Sequence, residues 1–134
     1  MFPLYFLYDM WPVLILRLAL GLIFIVHGWM KLRDLKQNAQ NFEAMGFRPG
    51  KVFGLAPAFL EFFGGIALVL GFLVPWVAAL FIIEFIVVLL WRWMKRLPFV
   101  GGWELDLLIL AGVIALFSLG GGAFSLDRIW FGWL

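Results

Sequence analysis

The chain has 134 residues, 66% of them hydrophobic and 13% charged, with a mean hydropathy of +1.08. Globular chains are roughly half apolar, and a soluble domain of this length has too small a core to hide the excess, so the composition specifies an integral membrane protein. The absence of cysteine excludes disulfide exchange, iron–sulfur ligation by this chain and Cys-based zinc sites, and the single histidine excludes a haem held by two histidines of one chain.

The first predicted helix covers about residues 10–32. No basic stretch precedes Trp11 and the apolar run is too long for a cleaved leader, so the segment is expected to persist as a helix. The polar stretch RDLKQNAQNFEAMGFRPGKVFG, residues 33–54, follows. Its Phe42, Met45 and Phe47 are spaced for a short interfacial helix, and its Gly46 and Pro49-Gly50 read as turns. A second apolar helix is expected over about 55–73, stopped by Pro75, and a third over 76–94, the two forming an antiparallel hairpin. MKRLPFVGGW, with Pro98 and Gly101-Gly102 as breakers, leads to a fourth helix over about 104–121. A helix needs about 20 residues to cross the hydrocarbon layer; the fourth is short and draws on the residues after Leu119. In the tail IWFGWL, Trp130 and Trp133 read as interface anchors. The expected fold is all-α: one domain over 1–134, an integral membrane four-helix bundle with a short interfacial segment between helices 1 and 2.

Eight of the ten Lys and Arg residues flank the first and third connections. That bias places both basic loops in the cytoplasm and both termini outward, in a multi-pass protein of a prokaryotic inner (plasma) membrane. The same clustering makes the net charge of +2 a topology signal and not a nucleic-acid footprint.

The ionisable residues inside the spans have positions on helical wheels. At about 100° per residue, Lys31 and His27 lie about 40° and 80° from Arg17, and Gly21 and Gly28 lie within about 40° on its other side. That face should turn inward, because small residues let helices approach and charges avoid lipid. Glu61 shares a face with Gly64, Gly65 and Gly71, and Glu104 with Ala111, Ala115 and Ser118. Asp106 points away from Glu104, towards the headgroups. Glu84 stands among bulky apolar residues. Counting from Trp11 and Trp76 at 1.5 Å per residue, Arg17 and Glu84 lie about 9 and 12 Å deep. Two polar layers are therefore expected: Arg17 with Glu84, and His27 with Glu61 and Glu104, joined by Lys31. Such groups can also serve only to pair and set register, and Lys31 can snorkel to the headgroups. No nucleophile elbow, phosphate loop, H-x-x-E pair or dinucleotide fingerprint is present.

The pieces RLALGLIFIVHGWMKL, FEAMGF, PAFLEFFGGIALVLGFLVP, the Glu-bearing start of helix four and GGGAFSLDR, in this order, resemble the DoxX family of small bacterial and archaeal membrane proteins. The resemblance implies a four-helix membrane protein. It carries over Arg17, His27, Lys31, Glu61, Glu104, Ser125, Asp127 and Arg128 as the family's polar positions, and does not extend to Glu84 or Asp106. Related DoxD-type proteins are associated with thiosulfate:quinone oxidoreductase, and other DoxX-like proteins with membrane redox-stress complexes. The expectation is a membrane subunit of a redox-linked complex holding a quinone within the bundle, with no covalent cofactor and no metal. His27, Glu61, Glu104 and Arg17 would do the proton and charge work. Phe24, Trp29, Lys31 and Trp91 would line the ligand slot. Glu84, Ser125, Asp127 and Arg128 are assigned structural roles, with Ser125 capping a turn and Asp127 pairing with Arg128 at the outer headgroups. No electron carrier is encoded, so a soluble or membrane redox partner is required; a homo-oligomer stays open. The alternatives are a non-catalytic scaffold or assembly factor, and a small-solute transport helper.

Overall fold

The computed structural model describes residues 4–132, with side chains for 11–132. Six α-helices follow in order: α1 (Leu4–Leu32), α2 (Leu35–Ala44), α3 (Gly50–Leu70), α4 (Val74–Met94), α5 (Glu104–Leu119) and α6 (Leu126–Phe131). Four spans, Trp11–Leu32, Gly50–Leu70, Val74–Met94 and Phe99–Leu119, are long and apolar enough to cross a membrane. No strand occurs among the described residues. The described chain is an all-α, multi-pass membrane bundle.

Its outward rows explain the composition. Ile15, Leu22, Trp76, Ile83 and Leu108 are each more than 60% exposed, an apolar surface suited to lipid tails. The inner rows recur at three- and four-residue spacing, as on α5, where Ile109, Val113 and Leu116 are buried. The pairs α1–α3 and α4–α5 pack most extensively, and contacts of α3 with α4 and of α1 with α5 close the ring. At its centre the rings of Phe24 and Phe81 stack with centroids 3.7 Å apart and planes 5° from parallel.

The α1–α3 contact is backbone against backbone. A Cβ added at Gly65 would stand 2.8 Å from both the Gly21 carbonyl oxygen and the Ile25 nitrogen, and one at Gly21 would stand 2.8 Å from the Gly65 carbonyl oxygen. Small residues are required because association within lipid relies on close packing in place of a hydrophobic driving force.

Helix α3 begins at Gly50 and not near residue 55. Gly46 is the expected turn residue, at φ 98°, whereas Gly50 and Gly54 are crossing points with α2, Gly50 lying against the Ala39 carbonyl. Gly54 packs on Asn38, whose Nδ2 donates to the Gly54 carbonyl at 2.8 Å. The same helix ends at Leu70 on left-handed Gly71, so Pro75 starts α4 and does not terminate α3. The fourth helix proper stops at Leu119, and its span is lengthened on the other side by the irregular turn Phe99–Trp103.

The α3–α4 turn is clamped from both sides. Arg17 is fully buried; its guanidinium donates to the carbonyls of Leu68 (3.0 Å), Val69 (3.3 Å) and Phe124 (2.6 Å). It thereby places a cation at the negative C-terminal end of α3. Asp127, also fully buried, accepts from the backbone nitrogens of Leu73 (2.5 Å) and Val74 (2.8 Å) at the N-terminal end of α4. Leu73 is held in the left-handed region, φ 50°, a conformation costly for a branched side chain, and the Asp127 bond compensates. The Asp127 nitrogen donates back to Gly71 at 2.9 Å. Ser125 caps α6, accepting from the Arg128 nitrogen at 3.3 Å. Asp127 therefore points into the bundle and not to the headgroups, because the turn offers it two otherwise unsatisfied donors. Trp130 is exposed; Trp133 lies outside the described residues.

Asp127→Ala strands two buried donors and is expected to lower stability by about 1–3 kcal/mol for each, read as thermal unfolding in detergent. Gly65→Leu is expected to cost at least the ~1–3 kcal/mol of an overpacked core, with separation of α1 and α3 visible as faster amide exchange along both.

Candidate functional site

The end of the bundle away from this clamp is not filled. A cavity of about 1100 Å³ opens between α1, α3, α4 and α5, with α2 across it. Its walls are mostly apolar, including Phe24, Leu60, Leu80, Phe85, Val88 and Ile109. The shape follows from the connections. α3 and α4 are tied tightly at the clamped end, whereas at the other end α1 and α3 are separated by residues 33–49 and α4 and α5 by 95–103.

Three ionisable side chains from three helices meet in this cavity. Lys31 Nζ on α1 lies 2.7 Å from Glu61 Oε1 on α3. The Glu61 side chain is 6% exposed and that of Lys31 27%, so the pair is drawn inside and Lys31 is not a snorkelling anchor. Its ammonium also lies 5.9 Å from the centre of the Phe42 ring on α2. Glu84 on α4 meets Glu61 side chain to side chain and also feels Lys31. The Oε2 atoms of both glutamates are buried without a hydrogen-bond donor.

A second ion pair faces the first. Arg92 Nε on α4 is 2.6 Å from Asp106 Oδ2 on α5. His27 lies in the cavity wall and in the electrostatic reach of Asp106, and its Nδ1 is 2.7 Å from the Ile23 carbonyl oxygen. That contact fixes Nδ1 as the donor and leaves Nε2 for other partners. Trp91 Nε1 donates to the Met45 carbonyl at 3.0 Å, latching the end of α2 to α4. Among the described residues no three His, Cys, Asp or Glu side chains are grouped to hold a metal.

The expected layers are thus rearranged. Arg17 does not pair with Glu84: its guanidinium is used by carbonyls at the clamp, while Glu84 sits with Glu61 and Lys31. Glu104 does not join His27 and Glu61, since its Oε1 accepts from the Gly101 nitrogen at 3.0 Å and it is exposed. Asp106 takes the inward position instead. The signal was present: Asp106, Ile109, Val113 and Leu116 repeat at three and four residues, the buried stripe of α5. Small Ala111 and Ser118 were a poorer guide, and both are exposed. Of the residues assigned to a ligand slot, Phe24, Lys31 and Trp91 line the cavity. Trp29 is 55% exposed and packs against Phe62 outside it. Sequence reasoning also missed Arg92 and the Asn38 side of α2.

A four-span membrane bundle with a single-ended, amphipathic cavity is the class that this architecture defines. A family model, DoxX, matches residues 12–93, and the chain belongs to the DoxX family. It is similar to the inner membrane protein YqjF of Escherichia coli (strain K12), 35% identical over 122 residues, covering 87% of this chain and 90% of that protein. It is also similar to a Bacillus subtilis (strain 168) protein named "Putative oxidoreductase CatD", 31% identical over 114 residues, covering 85% and 83%. No solved structure matches the chain significantly.

Trp91→Phe keeps the ring and removes the donor to Met45. It is expected to cost about 1 kcal/mol and to raise amide exchange selectively in residues 35–49, measured by hydrogen–deuterium exchange mass spectrometry.

Proposed function

We propose that this chain is the membrane subunit of a redox-linked complex and that its cavity receives a quinone or a similar amphipathic aromatic ligand. The observation that carries the reading is the cavity itself, a large apolar space containing a few convergent polar groups, the usual make-up of a small-molecule site. Its volume of about 1100 Å³ suits a ring headgroup with the first part of an apolar tail. His27 is both exposed on the bundle surface and part of the cavity wall, which supports entry from the surrounding lipid.

His27 suits a ligand that changes between carbonyl and hydroxyl. With Nδ1 committed to Ile23, the neutral ring offers Nε2 to accept from a quinol hydroxyl, and the imidazolium donates from Nε2 to a quinone carbonyl. Asp106 lies within electrostatic reach of the ring. Trp91 and Phe85 supply faces against which a flat ligand packs. Electrons come from a partner protein or substrate, since nothing in this chain carries them. The name of the Bacillus subtilis relative agrees with a redox assignment. The basic end, with Lys36, Arg48, Lys95 and Arg96, is placed in the cytoplasm by the positive-inside rule, and the name of the Escherichia coli relative agrees with an inner-membrane location.

The far end bears on the alternatives. Phe24 and Phe81 fill the bundle above the cavity, and Arg17 and Asp127 are fully buried beyond them, which favours a ligand-holding cleft over a transport path. A scaffold role draws on the exposed Ile129 and Trp130. Native mass spectrometry of protein ejected directly from membranes decides among these. A bound quinone, lost together with membrane redox activity in His27→Ala, is the expected result. Absence of quinone with redox activity unchanged in His27→Ala overturns the reading, and a copurifying protein without quinone supports the scaffold.

A further inference from the structure

The cavity holds more negative charge than its cations neutralise. Lys31 faces two carboxyls, Glu61 and Glu84, that meet side chain to side chain. With both ionised, the cluster has net charge −1 in a membrane-embedded, largely apolar space, where unpaired charge is expensive. The surrounding groups do not supply the missing cation. Arg92 on α4 is held by Asp106 on α5 at 2.6 Å. His27 on α1 belongs to the field of Asp106. Arg33 and Asp34, beside α2 at the mouth, carry opposite charges.

The hydrogen bonding points the same way. Glu61 Oε1 accepts from Lys31 at 2.7 Å, but Glu61 Oε2 and Glu84 Oε2 are both buried with no donor. Two ionised carboxylates have only acceptors to offer each other. A single proton supplies one donor, joins the two groups and brings the cluster to neutrality.

We propose that Glu61, Glu84 and Lys31 form a binding site for one proton, shared between the two glutamates and available to whatever occupies the cavity. When the proton is given up, the acid O–H bond breaks, the acceptor oxygen or nitrogen of the occupant gains the proton, and the cluster of Lys31 and the two carboxylates is left with charge −1, to be reprotonated from water at the mouth. No electron moves in this step. The site is a property of the empty cavity and does not depend on a quinone being its ligand.

Infrared spectroscopy of the full chain in lipid nanodiscs at neutral pH tests this, through the carbonyl stretch of a protonated carboxyl and its shift in heavy water. One such group per chain is expected. It disappears in Glu84→Gln and equally in Glu61→Gln, because the remaining carboxylate then pairs with Lys31 and needs no proton. Lys31→Met acts in the opposite direction and raises the count towards two. No protonated carboxyl in the natural chain at neutral pH overturns the proposal, as does a band that survives both glutamine substitutions. Circular dichroism confirms folding of each variant, and the presence or absence of the band in the natural chain decides the matter if a variant fails to fold.

Discussion

Backbone groups left over where a helix ends inside a membrane protein must be satisfied by the protein itself. Water is not at hand, and each unsatisfied group costs several kcal/mol. The α3–α4 turn concentrates this problem in residues 71–73, and two charged side chains resolve it. Arg17 reaches from α1 to the last carbonyls of α3, and Asp127 reaches from α6 to the first nitrogens of α4. Each charge serves a helix end of opposite polarity. Between them they tie α1, α3, α4 and the C-terminal segment into one knot, which sets the register of the bundle.

The other end of the same helices lacks any such knot, and there the ionisable side chains of the cavity collect. Long connections let α4 and α5 stand away from α1 and α3, and α2 is laid over the gap. Burying ion pairs there brings little net stability, since desolvation offsets most of the attraction. The Lys31–Glu61–Glu84 cluster and the Arg92–Asp106 pair are thus better understood as groups presented to a cavity than as staples of the fold.

The fold was largely legible in the sequence because lipid imposes simple demands. Long apolar runs, Lys and Arg concentrated around two connections, and glycines sharing a face with Arg17 correspond to the spans and to the buried α1–α3 contact. The site was legible on α1 and α3, where glycine and charge occupy one face, and misread on α5. There the inner face is lined by Val113 and Leu116 while small Ala111 faces out, so residue size pointed to Glu104 and away from Asp106. Helical position also could not show that Arg17 would choose carbonyls over a carboxylate at similar depth. That choice depends on where α3 ends, and Gly71, not the proline four residues later, decides it.

The backbone contact through Gly21 and Gly65 divides the bundle mechanically. Two helices touching carbonyl to Cα cannot slide or part by small steps without losing their whole seam. α1 and α3 thus act as a fixed wall. An occupant that widened the cavity would displace the α4–α5 pair, which packs on α1 and α3 less extensively than those two pack on each other, like one jaw of a pair of tongs. Lys31 and Glu61 ride on the fixed jaw, while Glu84, Arg92 and Asp106 ride on the moving one. Any such opening would alter the distance between the two glutamates, and with it the electrostatics that an occupant would meet.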